Sequence, residues 1–339
     1  MEKILIIQTA FIGDAILTLP MIQKLKVMFP ESSIDVLTIP STKEIFESSA
    51  FTNEIFVLDK RGKHKSIFAT YKLAKEIKKK NYTRLYTPHR SLRTALLVMF
   101  TDIRETYGFD NSSLKHIYKN LVEYKKDHHE VRRNLDLIGY TYLNDDWKVK
   151  PEVEIPINAK NKIKNFLNSV NYENLAAIAP GSVWNTKIYP LEYYEKIIEY
   201  LVSKSFKALI IGSDKDKKVC EDLSSKFNDS VISTAGEFSL IESIELLKRS
   251  EVLITNDSAP THMAMAAGIP VITIYCSTVP EFGFYPYNSR SFYLSFDDLF
   301  CKPCGIHGYE ECPIKTFDCG YKLLPERVIK KIDNVINAE

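Results

Sequence analysis

The sequence predicts an α/β protein with parallel sheets in two domains. Short apolar runs typical of buried strands alternate with longer amphipathic segments, which is the order that connects parallel strands through helices. A chain of 339 residues is long for one hydrophobic core and suits two cores of about 150 residues each. The charged, proline-containing stretch 144–158 breaks the helical pattern and is the predicted linker. We therefore predict domains at 1–150 and 151–339.

Each predicted strand is a short apolar run bounded by turn or charged residues. In the first domain the strands are predicted at 3–8, 34–39, 54–58, 83–87 and 103–107, and in the second at 175–180, 207–212, 251–255 and 270–275.

The first strand leads through a short turn into a helix predicted at 14–29. Apolar residues recur along it at helical spacing, and Asp14 lies in its first turn, directly after Gly13. A carboxylate at this position is stabilised by the helix dipole by about 0.3–1 kcal/mol, so Asp14 could be purely structural. The turn lacks two of the three glycines of the dinucleotide-binding fingerprint, which argues against a dinucleotide cofactor.

The strand at 175–180 runs into a polar loop, which an amphipathic helix follows at 191–203. In this loop Gly181 permits close approach of the backbone to a ligand, and Ser182 and Thr186 offer hydroxyl groups. Lys187 supplies a mobile positive charge for phosphate oxygens. An ordinary strand-to-helix loop is the alternative, but these residue types together indicate a diphosphate site.

The most informative turn joins the strand at 251–255 to a helix predicted at 261–268. Free N–H groups and the dipole at a helix N-terminus favour a negatively charged ligand. Asp257 and Ser258 could instead only cap the helix, and His262 could be a packed structural residue. Ala259 and Pro260 complete the turn.

Four segments of the chain resemble glycosyltransferase family 9, the ADP-heptose heptosyltransferases of bacterial surface polysaccharide synthesis. They read IGDAILTLP at 12–20, PGSVWNTKIYP at 180–190, IIGSDKD at 210–216 and TNDSAPTHMAMAAGIP at 255–270. The resemblance implies a GT-B fold, in which two Rossmann-like domains face each other across a cleft. The N-terminal domain would bind the acceptor and the C-terminal domain the nucleotide-sugar donor.

The resemblance also implies roles for individual residues. Asp14 would be the catalytic base, and Lys187 would neutralise the diphosphate. Asp216 is a weaker candidate for binding the ribose hydroxyls. The residues expected to bind the donor are Gly13, Gly181, Ser182, Thr186, Lys187, Asp216, Asp257, Ser258, Ala259, Pro260 and His262.

The expected function is inverting, metal-independent transfer of a heptose from a nucleotide-diphospho-sugar, with ADP-heptose implied by the resemblance. The acceptor would be a lipopolysaccharide core or a related glycan. One alternative is the same chemistry on a protein acceptor, with a metal bound by cysteines. Another is a non-catalytic nucleotide-sugar binding protein of the same fold.

Charge is unevenly distributed between the predicted domains. Residues 1–150 contain 25 Lys and Arg residues and 18 Asp and Glu residues. Residues 151–339 contain 20 Lys and Arg residues and 25 Asp and Glu residues. A basic first domain suits an anionic glycan or glycolipid acceptor, or the inner leaflet of a membrane. A pI near 8.0 without a basic-aromatic motif argues against nucleic acid. The candidate acceptor-binding residues follow two predicted strands: Arg61, Lys63, His89, Arg90 and Arg93.

No apolar run approaches the length of a membrane span, and the N-terminus does not resemble a signal peptide. The sequence therefore predicts a cytoplasmic protein, with peripheral contact at the inner face of the cytoplasmic membrane as an extension of that prediction.

Four of the six cysteines form a cluster with the spacing C-x2-C-x7-C-x6-C, namely Cys301, Cys304, Cys312 and Cys319. The first pair has the spacing of a metal knuckle, but the second pair is wider than structural zinc sites prefer. We expect no required cofactor and no metal here, with a structural zinc or iron as the alternative. Cys220 and Cys276 are predicted to be small buried side chains.

Overall fold

The computed structural model describes residues 1–170 and 172–337. The chain divides into two compact units, Met1–Glu154 and Ile155–Glu339. The division falls within the predicted linker 144–158, whose last residues already belong to a helix beginning at Ile157.

Unit 1 alternates strands and helices as far as its fifth strand, which is followed by a further strand. Its elements are β1 (Lys3–Ile7), α1 (Ile12–Met28), β2 (Ser33–Thr38), α2 (Lys43–Glu47), β3 (Ile55–Val57), α3 (Ile67–Lys78), β4 (Arg84–Thr87), α4 (Leu92–Thr101), β5 (Glu105–Phe109), β6 (Asn120–Val122) and α5 (Glu130–Leu137).

Unit 2 shows the same alternation as far as its fifth strand, which is followed by a further strand and then by two helices. Its elements are α6 (Ile157–Ser169), β7 (Asn174–Ala179), α7 (Leu191–Ser203), β8 (Phe206–Ile210), α8 (Lys217–Ser224), β9 (Val231–Ser233), α9 (Leu240–Leu247), β10 (Val252–Asn256), α10 (Ala259–Ala267), β11 (Val271–Tyr275), β12 (Phe292–Ser295), α11 (Asp318–Tyr321) and α12 (Pro325–Ile336).

The described residues of each unit form one six-stranded sheet in which every pairing is parallel. The orders are β3-β2-β1-β4-β5-β6 and β12-β11-β10-β7-β8-β9, which are the same doubly wound arrangement. The strand order reverses between β1 and β4 in unit 1, and between β7 and β10 in unit 2. Ligands of such sheets bind outside the carboxyl ends of the strands at this reversal. The loops after these four strands are therefore where the site residues are expected.

The central strands are apolar on both faces because helices cover both faces of each sheet. Ile4, Leu5, Ile6 and Ile7 of β1 are fully buried, and β10 is buried along its whole length. This double burial explains why the sequence shows continuous apolar runs rather than alternation.

All nine predicted strands are present, with ends shifted by a few residues. β6, β9 and β12 were not predicted. The helices predicted at 14–29 and 261–268 begin earlier, at Ile12 and Ala259. No helix within the described residues is long and apolar enough to cross a membrane.

Candidate functional site

In unit 2, Asn256 at the end of β10 holds together the two loops that lie at the strand-order reversal. Its Oδ1 accepts hydrogen bonds from the Tyr189 N–H (3.0 Å) and the Tyr194 hydroxyl (2.9 Å). Its Nδ2 donates to the Pro180 carbonyl at 2.7 Å. Since the side chain is fully buried, these bonds fix the 180–190 loop against the 256–260 turn. The sequence prediction gave Asn256 no separate role, although an amide in an apolar strand is a signal of one.

Lys187 and Asp257 form an ion pair at this position. The Lys187 Nζ lies 2.6 Å from Asp257 Oδ2, and the two side chains are 13% and 12% exposed. The same Nζ donates to the Asp257 carbonyl at 3.2 Å, and the Thr278 hydroxyl donates to Oδ2 at 2.7 Å. The structure therefore brings together two predicted donor-binding residues and adds Thr278, which sequence reasoning missed.

Helix α10 begins at this ion pair without a side-chain cap. Ser258 occupies the N-cap position with extended backbone, but its hydroxyl lies 3.3 Å from the Asn256 carbonyl and makes no cap hydrogen bond. Asp257, Ser258, Ala259 and Pro260 are all partly exposed. The N-terminus of α10 therefore keeps an accessible positive dipole end beside the Lys187 ammonium, an arrangement suited to an anion.

His262, one turn into α10, is buried beside the ion pair. Burial lowers its pKa to about 4, an effect that Asp257 opposes and Lys187 reinforces. The imidazole is therefore neutral at physiological pH. Its Nδ1 is a buried atom without a hydrogen-bond partner among the described residues. A buried ring nitrogen without a partner is costly, and a bound ligand could supply one.

Gly181 and Asp216 also come together in unit 2. A Cβ atom on Gly181 would lie only 2.3 Å from the Asp216 Oδ1, so only glycine permits this approach. The other oxygen, Oδ2, accepts from the Ser213 N–H (2.9 Å) and the Ser213 hydroxyl (2.6 Å). Ser182, which follows Gly181, is partly exposed.

In unit 1, Asp14 lies in the first turn of α1, where its Oδ2 accepts from the Phe11 N–H at 3.2 Å. Burial, together with the smaller effect of the nearby Glu130 carboxylate, raises the pKa of Asp14 to about 7. The hydrogen bond from Phe11 and the charge of Arg90 lower the pKa of Asp14, but by less. The helix-start position alone would lower this pKa, but burial has the larger effect.

His89 and Arg90 follow β4, on the other side of the strand-order reversal in unit 1. The His89 Nδ1 lies 2.8 Å from the Thr9 Oγ1, and burial lowers the pKa of His89 to about 4. The Arg90 guanidinium stacks 4.0 Å from the centre of the Tyr124 ring. Since Arg90 also influences the pKa of Asp14, the structure groups these predicted residues.

Lys60 is a cation in this region that sequence reasoning missed. Its Nζ donates to the Thr9 carbonyl at 2.7 Å, and burial lowers its pKa to about 8. Arg93 donates to the Lys65 carbonyl at 3.3 Å. Arg61 and Lys63 are exposed in the loop after β3, and no contact within the described residues joins either of them to Asp14.

The four clustered cysteines of unit 2 line one cavity of about 210 Å³. Burial raises the pKa of the Cys304 thiol, and it raises that of Cys319 to about 11. No three His, Cys, Asp or Glu side chains within 1–170 and 172–337 are arranged to hold a metal ion. The four cysteines thus share one cavity. Cys220 and Cys276 are buried, as predicted.

Comparison with known proteins identifies the family. The model of glycosyltransferase family 9 (heptosyltransferase) matches residues 70–311. Lipooligosaccharide heptosyltransferase 2 of Haemophilus influenzae is 23% identical over 294 residues, covering 83% of this chain and 85% of the relative.

Two solved structures are similar over nearly their whole lengths. A family 9 glycosyltransferase from Veillonella parvula has a TM-score of 0.86 at 21% identity, covering 99% of this chain and 98% of that one. The ADP-heptose lipopolysaccharide heptosyltransferase II of Escherichia coli has a TM-score of 0.82 at 19% identity, with the same coverage. These likenesses confirm the predicted GT-B fold. Because the family model covers more than two thirds of the sequence, the chain belongs to glycosyltransferase family 9 and is a glycosyltransferase.

Proposed function

We propose that this protein is an inverting heptosyltransferase that moves heptose from ADP-heptose to a lipopolysaccharide core or related glycan. The observation that carries the proposal is the Lys187–Asp257 pair at the uncapped N-terminus of α10, beside the neutral His262. This arrangement offers a positive charge, the positive end of a helix dipole and an imidazole to one anion. The similarity to a lipooligosaccharide heptosyltransferase and to an ADP-heptose lipopolysaccharide heptosyltransferase supports the choice of donor sugar, nucleotide and acceptor class.

In the proposed reaction the bond between the anomeric carbon and the diphosphate breaks as the acceptor hydroxyl attacks the opposite face of the sugar. Negative charge grows on the departing diphosphate, and preorganised donors that meet this charge lower the barrier. Lys187 and the positive dipole end of α10 are suited to that role. We therefore propose that the transfer requires no divalent metal cofactor.

Asp14 is the proposed general base. The acceptor hydroxyl loses its proton as the new glycosidic bond forms, and a base is most effective when its pKa lies near the working pH. A pKa of about 7 meets this condition. Because the base must be ionised, the rate is expected to fall as the pH drops below about 7.

The acceptor is proposed to be anionic. Lys60, His89 and Arg90 lie in the region of Asp14, and two of these side chains carry positive charge at neutral pH. A phosphorylated or carboxylated glycolipid would complement them, and binding it would bring unit 1 to a membrane surface.

The direct test measures ADP release from ADP-heptose with and without a heptose-deficient lipopolysaccharide core as acceptor. We expect ADP release that depends on the acceptor, and much slower release of nucleotide from UDP-glucose or GDP-mannose. Donor binding without turnover on any acceptor would instead indicate a non-catalytic binding protein. Turnover only with a protein acceptor would indicate the protein-modifying alternative.

Metal independence is tested separately, on protein purified without chelators. We expect less than about a tenth of an equivalent of zinc or iron, and unchanged activity after EDTA treatment, because the proposed charge stabilisation comes from protein groups. One equivalent of metal that is lost together with activity on chelation would contradict this and would favour the protein-acceptor alternative, in which the cysteines hold the metal.

A further inference from the structure

The cysteine-rich loop docks on the loop that carries Lys187. The Thr186 N–H donates to the Tyr309 carbonyl at 3.1 Å, and the Tyr309 N–H donates back to the Thr186 Oγ1 at 2.8 Å. The Cys304 N–H donates to the Ser277 carbonyl at 2.8 Å. These bonds tie the loop both to the 180–190 loop and to the residues after β11.

A buried lysine anchors the start of this loop. The Lys302 side chain is 2% exposed, and its Nζ lies 3.3 Å from Asp297 Oδ1. The same ammonium donates to the Tyr275 and Phe296 carbonyls, each at 3.1 Å. A buried ammonium with this set of partners holds the loop in one position relative to the end of β11.

Gly308 brings the loop backbone directly against the donor-site side chains. Its φ is +83°, and a Cβ atom would lie 2.9 Å from both the Thr186 Oγ1 and the Ser277 Oγ, and 3.4 Å from the Lys187 Cγ. The absence of a side chain therefore lets the backbone pack against the aliphatic part of Lys187. The Ser277 Oγ is itself a buried atom without a hydrogen-bond partner among the described residues.

His307 lies at the same place. Its ring stacks on Trp184 with 6.2 Å between the ring centres and 15° between the planes. Burial and the Lys187 charge lower the pKa of His307, and the Asp257 charge raises it. Because both charges act on the imidazole, the ring lies near the Lys187–Asp257 ion pair. Trp184, Thr186, Lys187 and Asp257 are all parts of the two loops already described.

We propose that residues 307–309 form a wall of the nucleotide-sugar site, in which Gly308 is a positioning residue for Lys187 and His307 contacts the diphosphate of the donor. Three independent contacts support this: the hydrogen-bonded pair Thr186–Tyr309, the packing of Gly308 on Lys187, and the ring stack of His307 on Trp184. The inference rests on the proposed function, because it assumes that Lys187 meets a nucleoside diphosphate.

The test compares two glycines of one loop. Gly308 and Gly305 both have positive φ, +83° and +69°, so alanine strains the backbone at either position. At Gly305, however, the nearest atom to a new Cβ is the Tyr309 hydroxyl at 3.9 Å. Gly305→Ala is therefore matched for backbone strain but lacks the steric conflict with the donor site.

Calorimetry with ADP, UDP and GDP gives the affinity of each variant for the nucleotide that the wild type prefers. We expect Gly308→Ala to weaken this affinity at least tenfold and Gly305→Ala less than twofold, with the KM for the acceptor unchanged in both. His307→Ala, which leaves the loop backbone intact, should raise the donor KM several-fold without lowering the melting temperature.

Equal affinity in the two glycine variants, or an unchanged donor KM in His307→Ala, would overturn the proposed wall. If Gly308→Ala does not fold, the His307→Ala result decides alone. A wild type that prefers UDP or GDP would refute ADP-heptose as the donor, while the same comparison of variants would still test the wall with that nucleotide.

Discussion

Replacing Asp14 by asparagine is expected to lower turnover by about a hundredfold to ten-thousandfold, which is the usual contribution of a general base. Affinity for ADP should remain within about twofold of the wild type, because the proposed donor-binding side chains that surround Lys187 belong to unit 2. The measurement is ADP release under saturating donor and acceptor, together with calorimetry for ADP. Activity within tenfold of the wild type would exclude Asp14 as the base.

Two further measurements separate a base from a structural residue. The wild-type rate should rise with pH through about 7, where Asp14 ionises, and this dependence should be absent from the residual activity of Asp14→Asn. Because the pKa of Asp14 is higher in the folded protein than in the unfolded chain, ionisation of this carboxylate lowers the free energy of unfolding. The destabilisation is complete above about pH 7 and disappears as the pH falls. Asp14→Asn should therefore raise the melting temperature at pH 8. A lower melting temperature would instead indicate a structural role at the start of α1.

Replacing Lys187 by alanine is expected to weaken ADP binding about tenfold to hundredfold, since a hydrogen bond to a charged group contributes about 1.5–3 kcal/mol. The rate should fall as well, because the same ammonium would stabilise the departing diphosphate. Lys218→Ala, which removes an exposed lysine of α8, is the matched control and should bind ADP normally. Unchanged ADP affinity in Lys187→Ala would rule out the proposed role.

Asp257 provides a second check on the same site. In Lys187→Ala its carboxylate loses the partner at 2.6 Å and keeps the Thr278 hydroxyl, so it would repel an incoming diphosphate. Removing it as well, in Lys187→Ala/Asp257→Ala, should restore part of the lost ADP affinity. If the double variant binds ADP more weakly than Lys187→Ala, Asp257 contacts the donor directly rather than only holding the lysine.

The parallel fold was predictable because its central strands leave a strong sequence signal. β1 and β10 are apolar on both faces, and their runs stand out from any helical pattern. β6, β9 and β12 have three or four residues and lie at sheet edges, where Leu121 is 45% and Tyr293 is 48% exposed. Their pairing depends on the neighbouring strand rather than on local sequence, so a pattern analysis does not find them.

The candidate site likewise contains residues that the sequence reveals and residues that only the structure reveals. Lys187, Asp257 and His262 lie in motifs that could be recognised locally, and the structure groups them. Lys60 and His307 reach their sites from loops that are distant in sequence, so only the fold reveals them. The pKa of Asp14 depends mainly on its burial, which outweighs the effect of the helix N-terminus and cannot be inferred from its position in the sequence.

The pairing of Thr186 with Tyr309 joins residues 123 positions apart, and the Tyr189 hydroxyl donates to the Leu323 carbonyl near the end of the chain. A ribosome adds about 5–20 residues per second, and domains generally fold as units starting from the N-terminus. Unit 1 can thus fold while the loop at 180–190 still lacks the segment that secures it. The 180–190 loop gains these partners only after synthesis has passed Leu323, so a chain interrupted before Tyr309 would contain a complete unit 1 and a 180–190 loop that lacks both bonds.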